Sequence, residues 1–116
     1  MSDPVRPLAA GDLVWIDFDP PTGREQRGRR PALIVSPAAL WRVSRFAIVC
    51  PITSRIRPFA SSVVLPAGLP VAGEILTSHV RSIDTLSRPI TPIGAFVPPT
   101  VLAEVRAKLA ALMGVD

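Results

Sequence analysis

Fourteen of the 116 residues are proline, spread from Pro4 to Pro99, and they cut the chain into short pieces. Each proline fixes φ and removes a backbone donor, so regular elements are broken into short pieces joined by tight corners. What remains is a β-rich fold with tight corners. The apolar share of 48% is enough for one core, and the length fits a single domain over residues 1–116, with 1–10 as an N-terminal tail. No apolar run approaches the roughly 18 residues that a membrane-spanning helix needs, so no membrane partner is expected. Met1–Ala10 carries Asp3, Pro4, Arg6 and Pro7 in place of a basic segment followed by an apolar one, so no signal peptide is expected.

Leu13–Phe18 alternates, with Val14, Ile16 and Phe18 on one face and Leu13, Trp15 and Asp17 on the other, which predicts a strand. Ala32–Val35 and Phe46–Ile52 are continuous apolar runs and read as central strands buried on both sides. Between them, Pro37–Arg42 has room for one helical turn. Ser62–Leu65 and Ile75–Ile83 read as two further strands, and Ile90–Phe96 as an edge strand interrupted by Pro92. From Thr100 the pattern changes. Val101, Leu102, Val105, Leu109, Leu112 and Met113 recur at helical spacing, with Pro98 and Pro99 at the first turn and Gly114 past the last. The expected architecture is a curled antiparallel sheet closed by a C-terminal helix.

Charge narrows the function. Thirteen basic residues against nine acidic ones leave a formal +4, and twelve of the thirteen are arginine. Arginine offers phosphate a planar five-donor fork, where lysine offers a point charge. A GC-rich coding sequence also enriches arginine, so the distribution carries more weight. Arg24, Arg27, Arg29, Arg30, Arg42, Arg45, Arg55 and Arg57 crowd one segment in which Glu25 is the only acid. Such a segment attracts a polyanion, or else is a solvated face.

The chemistry available is limited. With one histidine and one cysteine, Cys50, the chain has neither a histidine pair for acid–base work nor a His/Cys metal cluster, and no metal or cofactor is expected. A lone cysteine makes no internal disulfide, which suits the reducing cytoplasm. Asp17 and Asp19 straddle a strand end and read as structural. The densest polar stretch, Gly23-Arg24-Glu25-Gln26-Arg27-Gly28-Arg29-Arg30-Pro31, has flexible glycines on both sides. Pro31 biases Arg30 toward extended geometry, which mounts a charged side chain at the entrance of a buried strand. Pro51-Ile52-Thr53-Ser54-Arg55 sets hydroxyls and a guanidinium where another buried strand emerges. Read alone, Arg30 is also an ordinary surface arginine, and Thr53 an ordinary strand former.

Taken in order, several motifs resemble the MazF/PemK toxin family. They are Gly11-Asp12-Leu13-Val14-Trp15-Ile16-Asp17-Phe18-Asp19-Pro20, then Gly23-x-Glu25-Gln26-x-Gly28-x-Arg30-Pro31-Ala32, then Pro51-Ile52-Thr53-Ser54, Leu65-Pro66 and Val80-Arg81-Ser82-Ile83-Asp84. The match spans roughly residues 11 to 113. The resemblance implies a small SH3-like (PemK/CcdB-like) barrel, mainly β, with a C-terminal helix. It implies a homodimer, metal-independent cleavage of single-stranded RNA to 2′,3′-cyclic phosphate and 5′-OH ends, and neutralisation by a cognate antitoxin. By that resemblance Arg30, Thr53 and Glu25 are catalytic. Arg24, Gln26, Arg27, Arg29, Ser54, Arg55, His79 and Arg81 are the residues expected to hold RNA.

Two positions depart from the family pattern. Arg24 stands where the family commonly has serine, and Ser78-His79 where it commonly has Asp-Gln or Glu-Gln. On a strand His79 and Arg81 share a face, their Cα atoms about 6–7 Å apart. Alternatively, His79 hydrogen-bonds within the core or dimer. Two other functions fit the same fold: a non-enzymatic gyrase-poisoning toxin like CcdB, and an RNA-binding protein that has lost catalysis through Arg24.

Overall fold

The computed structural model of the chain describes residues 6–18 and 29–115. Seven strands and two helices follow in the order β1 (Asp12–Asp17), β2 (Arg29–Ile34), α1 (Ala38–Ser44), β3 (Phe46–Thr53), β4 (Val63–Val64), β5 (Glu74–Ile75), β6 (Arg81–Asp84), β7 (Ile90–Phe96) and α2 (Pro99–Leu112). All pairings are antiparallel, in the order β4-β5-β3-β2-β1-β7, with β6 also on β3. Strands β4 and β7 end the path without pairing to each other, so the expected barrel is an open, curled sheet. Among the described residues no helix is long and apolar enough to cross a membrane.

Strand alternation sorts side chains onto two faces, and each face buries a cluster. The first core holds Leu13, Leu33, Cys50, Ile52 and Ile75 beneath Val105 and Leu109 of α2. The second, on the opposite face, holds Val14, Ile16, Ala32, Ile34, Ala47, Val49 and Ile83, with Trp41 of α1. Burial of each such side chain contributes about 1.5–3 kcal/mol. The apolar stripe of α2 is only partly used: Leu112 and Met113 are exposed, because the last turn projects beyond the packed face. That helix ends as its sequence predicts. Gly114 takes φ +75°, while the Val115 amide donates to Ala110 O and the Gly114 amide to Ala111 O, which satisfies two terminal carbonyls.

Helix α1 instead ends on Arg45 at φ +64°, a conformation that costs a non-glycine residue about 1–2 kcal/mol. Its guanidinium lies 4.0 Å from the Trp41 ring centroid, and the indole N–H donates to Thr85 Oγ1 at 3.0 Å, so stacking and a hydrogen bond offset that cost.

The expected strand over Ile75–Ile83 is broken. Residues Thr77–His79 form a 3-10 turn that separates β5 from β6. On β3, β5 pairs Ile52↔Ile75, whereas β6 pairs Val49↔Arg81, so three extra residues are taken up opposite Cys50 and Pro51. Pro51 accepts a hydrogen bond from the Leu76 amide but has no N–H to give on that edge, and the ladder is interrupted there. The Thr77 hydroxyl donates to Ser61 O, a contact distant in sequence that anchors the turn. Pro92, by contrast, is accommodated on the edge strand β7, where a register shift next to Gly94 (φ +88°) absorbs the irregularity.

Candidate active site

The β2–β3 ladder pairs Ala32↔Pro51 and Ile34↔Val49. The pairing ends at Ala32↔Pro51, and alternation puts Arg30 and Thr53, one two-residue step further out on each strand, on the face of the second core. The β1–β2 ladder pairs Ile16↔Arg30, so Arg30 follows the buried residues Ala32 and Ile34 outward along a strand that both neighbours hold in register. Arg30 and Thr53 are both half-buried. A guanidinium and a hydroxyl therefore lie on one face of adjacent strands, where an apolar floor ends.

The Thr53 oxygen accepts a hydrogen bond from the Arg55 amide at 3.2 Å. An oxygen used as an acceptor in this way keeps its own O–H to donate. Main-chain packing fixes the residue from the other side. Gly73, at φ +144°, passes so close that a Cβ there would lie 2.3 Å from Thr53 O and 3.0 Å from Ile52 Cγ2. Only glycine tolerates that approach.

Arg81 completes the face. It pairs with Val49 across the β3–β6 ladder, and its guanidinium carbon lies 5.4 Å from the Phe18 ring centroid. In a flat sheet three strand spacings, ~14 Å, would separate β6 from β1. The sheet thus curls around this face and brings Arg81 to Phe18.

The other expected site residues are placed differently. Arg29 points to the opposite face from Arg30 and lies over Trp15, 5.5 Å from the ring centroid. Ser54 and Arg55 are exposed just beyond the end of β3. His79 is exposed on the 3-10 turn rather than on a strand, so it does not share a strand face with Arg81; the three inserted residues remove that alternation. Arg24, Glu25, Gln26 and Arg27 lie outside the described residues.

Two features were not anticipated from sequence. One is the close approach of Gly73. The other is Glu74, fully buried directly across from Thr53. The Ser62 hydroxyl, followed by the Arg57 amide, holds the Glu74 carboxyl below the usual carboxylate range, against burial, which pushes it up. The signal available was a lone acid beginning a strand, which reads as solvent-facing. Cys50 has no part in this chemistry: burial in the first core pushes its thiol up to about 12. Among the described residues no group of three or more His, Cys, Asp or Glu side chains comes together to hold a metal ion.

Residues 9–113 match the family described as PemK-like, MazF-like toxins of type II toxin–antitoxin systems. The chain is 36% identical over 104 residues to the endoribonuclease toxin MazF of Escherichia coli K12, covering 90% of this chain and 92% of that one. It superposes on the crystal structure of MazF (Form-I) from Deinococcus radiodurans with a TM-score of 0.82 and 48% identity, over 92% of this chain and 96% of that one. For the MazE–MazF complex (Form-II) of the same organism the TM-score is 0.86 at 46% identity, over 97% and 100% of the two chains.

Proposed function

We propose, on the premise that this chain belongs to the family of PemK-like, MazF-like toxins of type II toxin–antitoxin systems, that it is an endoribonuclease whose reaction centre is the pair Arg30 and Thr53. The observation that carries the reading is the β2–β3 register, which leaves both residues one step beyond Ala32↔Pro51 on the same face of the sheet. The substrate is single-stranded RNA, the products have 2′,3′-cyclic phosphate and 5′-OH ends, and no metal takes part.

In this reaction the 2′ oxygen attacks the adjacent phosphorus and the bond to the 5′ oxygen breaks. Negative charge grows on the non-bridging oxygens toward the transition state. A positioned guanidinium and a hydroxyl donor stabilise that growth more than they stabilise the ground state. Arg30 and Thr53 are assigned these roles. The 2′-OH proton must leave as the new bond forms. A guanidinium, with a pKa above about 12, is a poor acceptor. We assign the proton to Glu25, the only acid between Arg24 and Arg57, which passes a proton on to the departing 5′ oxygen to give the 5′-OH end. Arg24, Gln26, Arg27, Arg29, Ser54, Arg55, His79 and Arg81 are assigned to holding RNA.

The functional unit is assigned as a homodimer in which both copies shape the groove, and a cognate antitoxin is its protein partner. The MazF of D. radiodurans was solved with MazE. The substrate puts its action in the cytoplasm. The gyrase-poisoning alternative finds no support, since the relatives are named endoribonucleases.

The test is incubation of the purified chain with a long, structure-poor RNA in excess EDTA, with mapping of the 5′ ends and light scattering at micromolar concentration. Cleavage that persists, 5′-OH products and a dimer mass are expected. A requirement for added Mg²⁺, or 5′-phosphate ends, would overturn the mechanism. Binding without cleavage would favour the RNA-binding reading.

A further inference from the structure

Residues 54–62 leave β3 at Thr53 and reach β4 without forming a helix or strand. Such a segment ordinarily samples many conformations. Here it is tied from within. Glu74, fully buried, accepts the Arg57 amide on Oε1 at 2.8 Å and the Ser62 hydroxyl on Oε2. Ser62 is itself buried, accepts the Phe59 amide at 3.0 Å on its hydroxyl, and gives its carbonyl to Lys108 Nζ at 2.8 Å. At the near end Thr53 Oγ1 takes the Arg55 amide.

The carboxylate is spent on a main-chain amide and a buried hydroxyl, not on guanidinium groups. It faces a segment containing Arg55 and Arg57, yet from Arg57 it takes the main-chain amide. Both arginines remain exposed, alongside Ile56 and Phe59. An acid free to swing outward would neutralise those charges. Buried and held on both oxygens, it instead shapes the backbone that displays them.

We propose that Glu74 is a positioning residue that, through Ser62 and the Arg57 main chain, holds residues 54–61 in the shape that presents Arg55 and Arg57 to the RNA phosphates running on from Thr53. This rests on the reading of the chain as an RNA-cleaving toxin. Order already present in the free protein is entropy that RNA need not remove on binding. Releasing the segment therefore weakens RNA binding and blunts its salt dependence, while chemistry at Arg30 and Thr53 on bound RNA changes far less.

The experiment compares the full chain with Glu74→Val, Glu74→Gln and Ser62→Ala. Binding is measured by salt titration with a fully 2′-O-methylated RNA, which has no 2′-OH to attack. Cleavage of unmodified RNA is measured under single turnover at saturating enzyme, and amide exchange is followed across residues 55–61. Glu74→Val is expected to speed exchange at Arg57 and Phe59 while β3 stays protected. It should weaken binding about tenfold or more and lower the salt slope by roughly one unit or more, with the saturating rate kept within about threefold. Ser62→Ala, the milder lesion, should move all three readouts in the same direction. Glu74→Gln should rescue, since its carbonyl can take the Arg57 amide while its NH₂ donates to Ser62 Oγ. Arg57→Ala should then cost less affinity in the Glu74→Val background than in the unsubstituted chain.

Faster exchange with unchanged affinity and slope, or fully additive losses from Arg57→Ala and Glu74→Val, would overturn the proposal and leave Glu74 a purely structural group. A saturating rate that fell with affinity intact would overturn it as well, by placing the effect at Thr53. Failure of the unsubstituted chain to cleave RNA would remove the broader functional reading, and is distinguishable because it needs none of the variants.

Discussion

The two faces of the sheet bury apolar side chains in different company. On the first, Leu13, Leu33, Cys50, Ile52 and Ile75 lie under α2, and apolar contact continues through Val105 and Leu109. On the second, Val14, Ile16, Ala32 and Val49 are equally buried, but no long helix covers them. Further along the same strands, apolar side chains give way to Arg30 and Thr53, both half-buried. The first face supplies cohesion. The second uses cohesion to hold polar groups at its rim. Precision at Arg30 and Thr53 comes from ladders whose buried portion cannot slip without turning every side chain over.

If that division holds, damage to the first face should be thermodynamic and damage to the rim of the second chemical. The largest effect is expected from Leu33→Ala, fully buried in the first core, which should destabilise the fold by about 2–5 kcal/mol in denaturant titrations. The saturating cleavage rate of the molecules still folded should be unchanged. A rate that dropped with stability would join the two faces into one functional unit.

Arg30→Ala and Thr53→Ala should do the reverse. Each is expected to slow single-turnover cleavage by about a hundredfold or more, with RNA affinity kept within several-fold. A retained saturating rate with lost affinity would reduce Arg30 to a charge that merely attracts RNA.

Gly73→Ala tests the seam between the two. A methyl placed 2.3 Å from Thr53 O forces backbone to move, at a cost of about 1–3 kcal/mol in stability. Because the displaced residue is Thr53, cleavage should also slow, by about tenfold. Loss of stability with an unchanged rate would mean that Thr53 is held by β3 alone.

The smallest effect is a pH dependence. The folded state holds the Glu74 carboxyl low, chiefly through the Ser62 hydroxyl. Its stabilisation is thus fully present above the unfolded value, about 4.3, and is lost as pH falls through the folded one. The stability gap between the unsubstituted chain and Glu74→Gln should narrow on acidification below about pH 4.3. Parallel denaturation profiles would show that the charge on Glu74 contributes nothing.

How much of this the sequence discloses depends on the range of the interactions involved. Strands β1, β2 and β3 are legible because alternation and apolar runs are local, as are the Pro99 and Gly114 boundaries of α2. The break at Thr77–His79 is not legible. Ile75, Leu76, Val80 and Ile83 keep up an apolar pattern through it, and what bends the chain is a threonine bonded to the Ser61 carbonyl sixteen residues earlier. Arg30 and Thr53 are conspicuous only as members of an ordered set of motifs. That they share one face of adjacent strands is a property of register, which no single segment encodes. Glu74 shows the limit most clearly, because its partners come from a segment whose path it helps to determine.

The three residues taken up by the 3-10 turn have a consequence for how such a chain tolerates changes in length. Strand β3 carries two partners in two registers, β5 at its end and β6 at its beginning, and the turn between them uncouples the two. A residue gained or lost between Leu65 and Gly73 can be absorbed in the loop ahead of β5, leaving the Val49↔Arg81 pairing and the placement of Arg81 over Phe18 undisturbed. The loop between Leu65 and Gly73 can therefore be lengthened, shortened or re-sequenced as a separate module, while the rim that holds Arg30 keeps its dimensions.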